Sequence, residues 1–174
     1  MLLYIIGGLE MNTFERHLYF GYGMNTNLSG MATRCPTADC LGAAVLPGYR
    51  FVFRGHADVE LDADCYVDGV LWQISDLDLK SLDRLEGFPS YYLRQRAWVE
   101  TEDGDRVIAW VYSMGDQSYE WEPGEHYLKC CLEGYRENGV PTTQIKDALE
   151  YVKAAPKYEQ LVETQDYAYD RARW

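Results

Sequence analysis

The sequence predicts an α+β fold, a small and mostly antiparallel β-barrel with helices packed outside it. Candidate strands, five or six in number, exceed the candidate helices. Two of these strands flank an Asp-Gly pair at residues 103–104, which is a strong hairpin signal. Strands and helices also do not alternate along the chain, which disfavours a doubly wound parallel sheet.

The first half of the chain supplies most of the predicted strands. Aromatic residues favour a strand over residues 17–23, which Gly23 ends. The next predicted elements, in order, are a short helix over 27–33, a strand over 42–54 with a turn or bulge at Pro47-Gly48, a short segment over 57–61 and a strand over 66–74.

The clearest predicted helix runs over residues 75–85. Ser75 can cap it, Asp78 follows three residues later in a near capping-box pattern, and Gly87 ends it. Its buried face is expected to contain three leucines: Leu77, Leu82 and Leu85. Strands over 91–101 and 106–113 then form the Asp-Gly hairpin, and helices are predicted over 123–138 and 142–153.

One domain is predicted over residues 17–155, between an N-terminal extension, residues 1–16, and a C-terminal tail, residues 156–174. No internal repeat, low-complexity tract or Pro/Gly/Ser-rich linker divides it. The apolar stretch Met1–Leu9 is too short to span a bilayer and has no signal-peptide features. We therefore expect it to have no targeting role.

The composition indicates a strongly acidic globular protein. Hydrophobic residues make up 47% of the 174 residues, which is enough for a core. Its 16 basic and 28 acidic residues give a formal net charge of −12. Nucleic acid and membrane surfaces are therefore excluded as expected partners, because both need clustered Lys and Arg. The 15 tyrosines are interpreted mainly as strand residues with exposed hydroxyls.

Five cysteines occur in an odd number and with no repeated spacing: Cys35, Cys40, Cys65, Cys130 and Cys131. This is a poor disulfide framework, and three histidines add too little for a four-ligand zinc set. We expect buried free thiols, a cytoplasmic location and no metal. Cys130 and His126 are four residues apart on one helix and have no third group to orient them, so no thiol catalyst is predicted.

Three segments carry groups suited to binding or catalysis. In residues 19–27, Gly23 follows a strand, where consecutive backbone amides can converge on an anion and Asn25 adds a side-chain amide. In residues 125–141, Tyr127 opens a helix, from which its hydroxyl can reach a pocket. A plain turn and a core tyrosine remain the alternatives for these two segments.

The remaining segment, residues 85–92, contains a carboxylate at a helix C-terminus. The helix dipole disfavours the charge of Glu86 there, and enclosure by Phe88, Tyr91 and Tyr92 would raise its pKa further. A carboxyl group of raised pKa suits general acid–base catalysis. An exposed glutamate at a helix end is the alternative.

Four short motifs occur in a fixed order: Tyr22-Gly23-Met24-Asn25, Gly69-Val70-Leu71-Trp72, the L-D-x-x-E-G pattern of residues 82–87 with Tyr92 soon afterwards, and Tyr127 with Gly134 and Gly139-Val140-Pro141. In this combination the sequence resembles the gamma-glutamylcyclotransferase family, from about Leu18 to Lys153. The resemblance implies a barrel with a polar cavity and a catalytic carboxylate at Glu86.

The resemblance also implies the substrate-binding residues and the activity. The loop contributes mainly backbone amides, and the implied substrate-binding residues are Tyr19, Tyr22, Gly23, Met24, Asn25, Tyr92 and Tyr127. Met24 stands where the family commonly has Ser or Thr. This difference does not affect substrate binding if only the backbone at this position contacts the substrate. The implied reaction releases 5-oxoproline from a γ-glutamyl amine or γ-glutamyl amino acid, without a cofactor.

Two other functions remain open at this stage. One is a non-catalytic binding or scaffold protein on the same fold, and the other is an enzyme acting on a larger γ-glutamylated product. The expected partner is a small γ-glutamyl molecule. An unpaired barrel edge and the apolar N-terminus would permit a homodimer.

Overall fold

Five strands and four α-helices make up residues 15–154, the part of the chain that this computed structural model describes. In chain order they are β1 (Arg16–Gly21), α1 (Leu28–Arg34), β2 (Asp39–Phe53), β3 (Ala57–Ser75), α2 (Asp76–Leu85), β4 (Tyr92–Thr101), β5 (Arg106–Met114), α3 (Glu125–Glu137) and α4 (Thr143–Ala154). A 3-10 turn, Met24–Thr26, precedes α1.

The strands form a closed barrel in the order β1-β3-β2-β4-β5. Neighbouring strands are antiparallel except where the barrel closes, at a parallel pairing of Tyr19 with Trp110. The predicted mostly antiparallel barrel is confirmed. The predicted unpaired edge is wrong, because β1 and β5 pair with each other and the described strands leave no edge open. The edge therefore gives no reason to expect a homodimer.

The segments predicted separately at residues 57–61 and 66–74 form one continuous strand, β3. They merge because β2 is long enough to pair with both segments. Its first residue, Asp39, lies opposite Gln73, and its last, Phe53, lies opposite Ala57. This long hairpin turns just before Ala57, next to the cavity described below.

Helix α2 begins with the predicted capping box: Ser75 accepts a hydrogen bond from the Asp78 backbone amide, and the Asp78 carboxylate accepts one from Ser75. Leu79 and Leu82 form its buried face. The predicted apolar face is wrong for two of its members, which are 60% and 48% exposed: Leu77 and Leu85. The reason is that the capping carboxylate of Asp78 is itself buried and sets the rotation of the helix.

Glycine allows two unusual segments. Gly48 has a φ of +79° where the register of β2 and β3 shifts, at the predicted bulge. Gly134 lies where α3 meets the 3-10 turn, and a Cβ there would be 2.3 Å from Thr26 Oγ1 and 2.4 Å from the Asn27 nitrogen. Helix α3 therefore packs directly on the loop after β1.

Buried hydrogen bonds hold α3 in this position. The Tyr135 hydroxyl, fully buried, donates to the Tyr22 carbonyl at 2.6 Å and accepts from Gln144 Nε2 at 2.6 Å. Asn138 Nδ2 donates to the Thr26 carbonyl at 2.8 Å. These contacts fix the start of the same helix, which carries Tyr127, relative to the loop.

Residues 1–14 and 155–174 lie outside the described residues. The extension predicted over 1–16, the apolar stretch Met1–Leu9 and the tail over 156–174 therefore stay predictions, as do the domain boundaries. Arg16, assigned to the extension, is the first residue of β1. Among residues 15–154, no helix combines the length and apolar character needed to cross a membrane.

Candidate active site

A cavity of about 190 Å³ lies between the loop after β1, the end of α2 and the start of α3. Its walls include all the residues predicted for the site: Tyr19, Tyr22, Gly23, Met24, Asn25, Glu86, Tyr92 and Tyr127. They also include Tyr91, named in the sequence analysis as enclosing Glu86, and four residues that sequence reasoning did not place there: His56, Ala57, Leu85 and Tyr112. Six of the 15 tyrosines line this cavity, and the four predicted substrate-binding tyrosines are among them. Its size suits a small molecule.

Glu86 lies at the end of α2 and is contacted by a fixed amide. Asn25 Nδ2 donates to Glu86 Oε1 at 2.8 Å and to the Tyr19 hydroxyl at 3.0 Å. Arg34 Nη1 donates to Asn25 Oδ1 at 3.2 Å. Because a guanidinium group can only donate, Arg34 selects the amide orientation that turns Nδ2 toward Glu86.

Burial raises the pKa of Glu86 from its usual 4.5 to about 7, against the lowering effects of the Asn25 hydrogen bond and the Arg34 charge. The predicted rise in pKa is confirmed, and its main cause is desolvation. The expected enclosure by Phe88 is wrong: that ring does not line the cavity, is 38% exposed and packs against Arg94. The sharp turn after α2 directs it away from the carboxylate.

Ala57 orients two tyrosine hydroxyls through its backbone. The Tyr92 hydroxyl donates to the Ala57 carbonyl at 2.8 Å, whereas the Ala57 N–H donates to the Tyr127 oxygen at 3.0 Å. Since a hydroxyl has one proton, Tyr92 offers a bound ligand only acceptor lone pairs. Tyr127 keeps its proton for a ligand or for the neighbouring Cys131 thiol.

The loop after β1 approaches Tyr127 closely. A Cβ at Gly23 would be 2.6 Å from the Tyr127 hydroxyl and 3.1 Å from Ala57 Cβ, so a larger residue would displace the hydroxyl. The 3-10 turn supplies no acceptor of its own for the backbone N–H groups of Gly23, Met24 and Asn25, its first residues.

His56 is a cavity residue that the sequence analysis missed. It follows Gly55, whose φ is +74°, in the turn between β2 and β3, and its ring meets the Tyr127 ring edge-to-face at 4.8 Å. Predicting β2 and β3 as one long hairpin would have located this turn from the sequence, because a glycine flanked by polar residues lies between their paired ends.

Tyr112 is a second cavity residue that the sequence analysis missed, and the ion pair of Asp83 with Arg94 fixes its hydroxyl. Its hydroxyl donates to Asp83 Oδ1 at 2.7 Å, and Arg94 Nη1 donates to both oxygens of Asp83 at 2.9 and 2.7 Å. Its carbonyl accepts the Tyr22 hydroxyl at 2.5 Å. Asp83 belongs to the L-D-x-x-E-G pattern, so this motif also supports the cavity wall.

The cysteines are all free thiols, and none lines the cavity. The expectation that they are buried holds for Cys35 and Cys131, whereas Cys40 is exposed and the other two are half-buried. Cys130 Sγ lies 3.8 Å from His126 Nε2, on a part of α3 that does not line the cavity.

A group of three side chains at the start of β1 is the one set in the described residues that could hold a metal ion: Glu15, His17 and Asp76. Its ligand atoms lie within 4.8 Å of one another, and His17 Nε2 already contacts Asp76 Oδ1 at 2.6 Å. None of the three lines the cavity.

Comparison with known proteins identifies relatives along most of the chain. The sequence model of the family described as "Gamma-glutamyl cyclotransferase, AIG2-like" matches residues 19–129. Gamma-glutamylcyclotransferase of Bos taurus is 30% identical over 153 residues, covering 80% of this chain and 77% of the relative. The Homo sapiens protein of the same name is 30% identical over 141 residues, covering 73% and 74%.

Solved structures share the fold. One described as "Gamma-glutamyl cyclotransferase" superposes with a TM-score of 0.65 at 26% identity, covering 82% of this chain and 89% of the other. The similarity therefore includes the barrel and the elements that form the cavity.

Proposed function

The chain belongs to the gamma-glutamyl cyclotransferase, AIG2-like family, and from this premise we propose that it releases 5-oxoproline from a γ-glutamyl amine or γ-glutamyl amino acid. It is an enzyme of the gamma-glutamylcyclotransferase type. The observation that carries the specific reaction is the position of Glu86: a carboxyl group with a pKa of about 7, in a cavity with oriented donors and acceptors.

The substrate supplies its own nucleophile in this reaction. The α-amine attacks the γ-carbonyl carbon, a five-membered ring closes, and the bond from that carbon to the leaving nitrogen breaks. Intramolecular attack has a high effective molarity, so no nucleophile from the protein is needed. The attacking nitrogen loses two protons on its way from ammonium group to ring N–H, so the protein must move both and stabilise the charge that develops on the carbonyl oxygen.

Glu86 is the proposed proton carrier. As a carboxylate it takes a proton from the α-ammonium group, which frees the amine for attack, and it then gives this proton to the leaving nitrogen. The regenerated carboxylate takes the second proton of the attacking nitrogen as the ring N–H forms, and this proton passes to the released amine or to water. A pKa of about 7 serves both steps, because neither protonation state is strongly favoured near neutral pH. The contact from Asn25 holds one carboxylate oxygen in place.

The tyrosines and the loop have complementary proposed roles. Tyr92 accepts a hydrogen bond from the α-ammonium group, and Tyr127 donates to a substrate oxygen, which follows from their opposite contacts with Ala57. The N–H groups of Gly23, Met24 and Asn25 bind the α-carboxylate or the oxyanion. Since Met24 contributes its backbone, the absence of a hydroxyl at this position does not disable the loop.

A non-catalytic scaffold fits these observations less well. A carboxyl group buried beside a cavity is costly to keep when only structure requires it, and such perturbed groups concentrate at functional sites. A larger γ-glutamylated product remains compatible with the same chemistry. The free thiols support our proposal that the protein acts in a reducing compartment such as the cytoplasm.

Product analysis tests the proposal. The purified protein is incubated with γ-glutamyl amino acids and γ-glutamyl amines, and mass spectrometry measures 5-oxoproline and the free amine. We expect equal amounts of both products. The matched controls are the N-acetylated γ-glutamyl compounds, which cannot cyclise. Release of glutamate in place of 5-oxoproline, or release of amine from the acetylated controls, would overturn the proposed reaction.

A further inference from the structure

Two tyrosine hydroxyls of the candidate active site depend on the backbone of one buried residue, Ala57. Its carbonyl accepts from the Tyr92 hydroxyl at 2.8 Å, and its N–H donates to the Tyr127 oxygen at 3.0 Å. The opposite hydrogen-bonding roles of the two hydroxyls therefore require Ala57 to keep one position and one orientation. Because a tyrosine side chain can rotate to follow a displaced backbone, other contacts must set the position of Ala57.

Asp58, the next residue of β3, is fully buried, and its carboxylate connects Ala57 to strand β5. The Met114 N–H donates to Asp58 Oδ1 at 2.8 Å. Met114 lies opposite Tyr92 in the pairing of β4 with β5. Asp58 therefore holds Ala57, which accepts the Tyr92 hydroxyl, at a fixed place relative to the strand pair that carries the Tyr92 backbone.

Arg54 closes the turn between β2 and β3 from its other side. Its guanidinium group is buried, donates to Asp58 Oδ2 at 2.6 Å and also contacts Glu60. Its backbone N–H donates to the His56 carbonyl at 2.8 Å. The side chain and the backbone of Arg54 thus both fix the turn that presents His56 and Ala57 to the cavity.

Desolvation makes stability alone a weak explanation for the buried Arg54–Asp58 pair. The cost of removing two charges from water offsets much of their attraction, so a buried ion pair contributes little net stability. Burial also raises the pKa of Asp58, against the lowering effects of the Met114 N–H, the Val59 N–H and Arg54. What the pair provides is a carboxylate with a fixed donor on each oxygen, directly next to Ala57 in the chain.

The carboxylate is also close enough to act on Tyr92 electrostatically. Burial raises the pKa of Tyr92, and the charges of Glu86 and Asp58 raise it further. The Tyr92 hydroxyl therefore keeps its proton, which it needs in order to donate to the Ala57 carbonyl.

We propose that Asp58 is a positioning residue for the proposed reaction. Paired with Arg54, it fixes the Ala57 backbone. Ala57 in turn sets how the Tyr92 and Tyr127 hydroxyls face the substrate. This inference rests on the proposed function, because the reaction gives the two hydroxyls their task. Neither Asp58 nor Arg54 lines the cavity, so loss of the carboxylate acts on the substrate only through other groups.

Asp58→Asn and Glu60→Gln separate positioning from a general loss of the ion-pair network. Asparagine keeps the size of the side chain but has one acceptor oxygen, so it cannot accept from both Met114 and Arg54 as the carboxylate does. Glu60→Gln removes the charge of the other carboxylate that contacts Arg54 and leaves Asp58 in place. We expect kcat/KM to fall about ten- to hundredfold in Asp58→Asn and less than about threefold in Glu60→Gln. An equal fall in both would overturn the proposal.

Double-mutant cycles show whether Asp58 acts through the two hydroxyls. The cost of Asp58→Asn in kcat/KM should be at least about threefold smaller in the Tyr92→Phe and Tyr127→Phe proteins than in the wild type. The same cost in all three proteins would overturn the positioning role. Arg54→Lys keeps a positive charge beside Asp58 but loses the planar fork, and it enters the same cycles if Asp58→Asn does not fold.

Hydrogen exchange of the free protein gives a readout that needs no turnover. Relative to the amide of Leu82 in α2, the Ala57 amide should exchange at least about threefold faster in Asp58→Asn and at the wild-type rate in Glu60→Gln. If this pattern holds but no γ-glutamyl compound yields 5-oxoproline, the proposed reaction fails and the fixing of Ala57 by Asp58 stands. A wild-type exchange rate for Ala57 in Asp58→Asn would overturn the positioning role.

Discussion

Asn25 donates a hydrogen bond from its side-chain amide to Glu86 Oε1 at 2.8 Å, and this contact opposes the effect of burial on the carboxyl group. Burial favours the neutral acid, whereas the Asn25 donor and the Arg34 charge favour the carboxylate. The resulting pKa of about 7 is the balance of these effects. A substitution that removes one of these effects should therefore change the pKa of Glu86 and the pH dependence of the reaction.

The pH profile of kcat/KM should therefore have an acidic limb near pH 7, because the free enzyme needs Glu86 as a carboxylate. Asn25→Ala removes a donor to the charged form, so the limb should move to higher pH. Steady-state rates measured across the pH range check both statements. A limb that stays in place in Asn25→Ala would mean that another group titrates.

Glu86→Gln should lower turnover by about 10²–10⁴-fold, the usual contribution of a general acid–base group, while the fold is retained. Glutamine has the same size and still accepts the Asn25 hydrogen bond, but it cannot carry the proton. Glu102→Gln, in the exposed turn after β4, is the charge-matched control and should be fully active. Near wild-type turnover in Glu86→Gln would remove this residue from the proposed role.

The same substitution should stabilise the protein at alkaline pH. A carboxyl group whose pKa rises on folding contributes its full stability below its unfolded pKa, and this contribution is lost as the pH rises through the folded value of about 7. The amide side chain introduced by Glu86→Gln resembles the neutral acid at every pH. Melting temperatures of wild type and variant should thus coincide below about pH 4, separate as the pH rises toward 7, and differ by a constant amount above pH 7, with the variant higher. The same difference at every pH would argue against a raised pKa.

Tyr127→Phe and Tyr92→Phe each remove one hydroxyl from the cavity and one hydrogen-bond partner of the Ala57 backbone. Tyr127 has a proton for the substrate, and a hydrogen bond to a charged group is worth about 1.5–3 kcal/mol, so KM should rise roughly ten- to hundredfold. Each substitution leaves one buried backbone group of Ala57 without its partner, so both should also lower the free energy of unfolding by about 1–3 kcal/mol.

Steady-state kinetics and chemical denaturation separate the two effects. Tyr66→Phe, at an exposed position of β3, provides the control for both measurements. Unchanged KM and kcat in Tyr127→Phe would make this hydroxyl purely structural.

Activity should be unaffected by a chelator and by thiol alkylation. The proposed reaction uses the amine of the substrate and therefore needs neither a Lewis acid nor a thiolate. Iodoacetamide should label the exposed Cys40 without loss of rate, and elemental analysis should show no stoichiometric zinc. Inactivation that substrate prevents, or one zinc per chain, would favour a thiol or metal mechanism.

Interactions between residues close in the sequence allowed much of this fold to be predicted. Ser75 and Asp78 form their capping box within one turn of helix, and the hairpin at residues 103–104 depends on an Asp-Gly pair. Both features involve residues that are close in the chain. Short motifs predicted the candidate site residues, and these residues line one cavity. Their roles stay predictions.

Long-range packing decided the rest. The parallel pairing of Tyr19 with Trp110 closes the barrel, and no local pattern encodes a contact between strands so far apart in the chain. The buried face of α2 followed the inward Asp78 carboxylate, because packing and hydrogen bonds override a simple count of leucines.

The polarity of the site also belongs to the tertiary structure. Sequence alone indicated Glu86, Tyr92 and Tyr127 among the site residues, but a hydroxyl becomes a donor or an acceptor only through its partner, and Ala57 is that partner for both of these tyrosines. His56 likewise lines the cavity only because the β2–β3 turn meets the start of α3. The sequence by itself determined which hydrogen-bonding groups the site contains. Their contacts in the tertiary structure decided which hydroxyls donate and which accept.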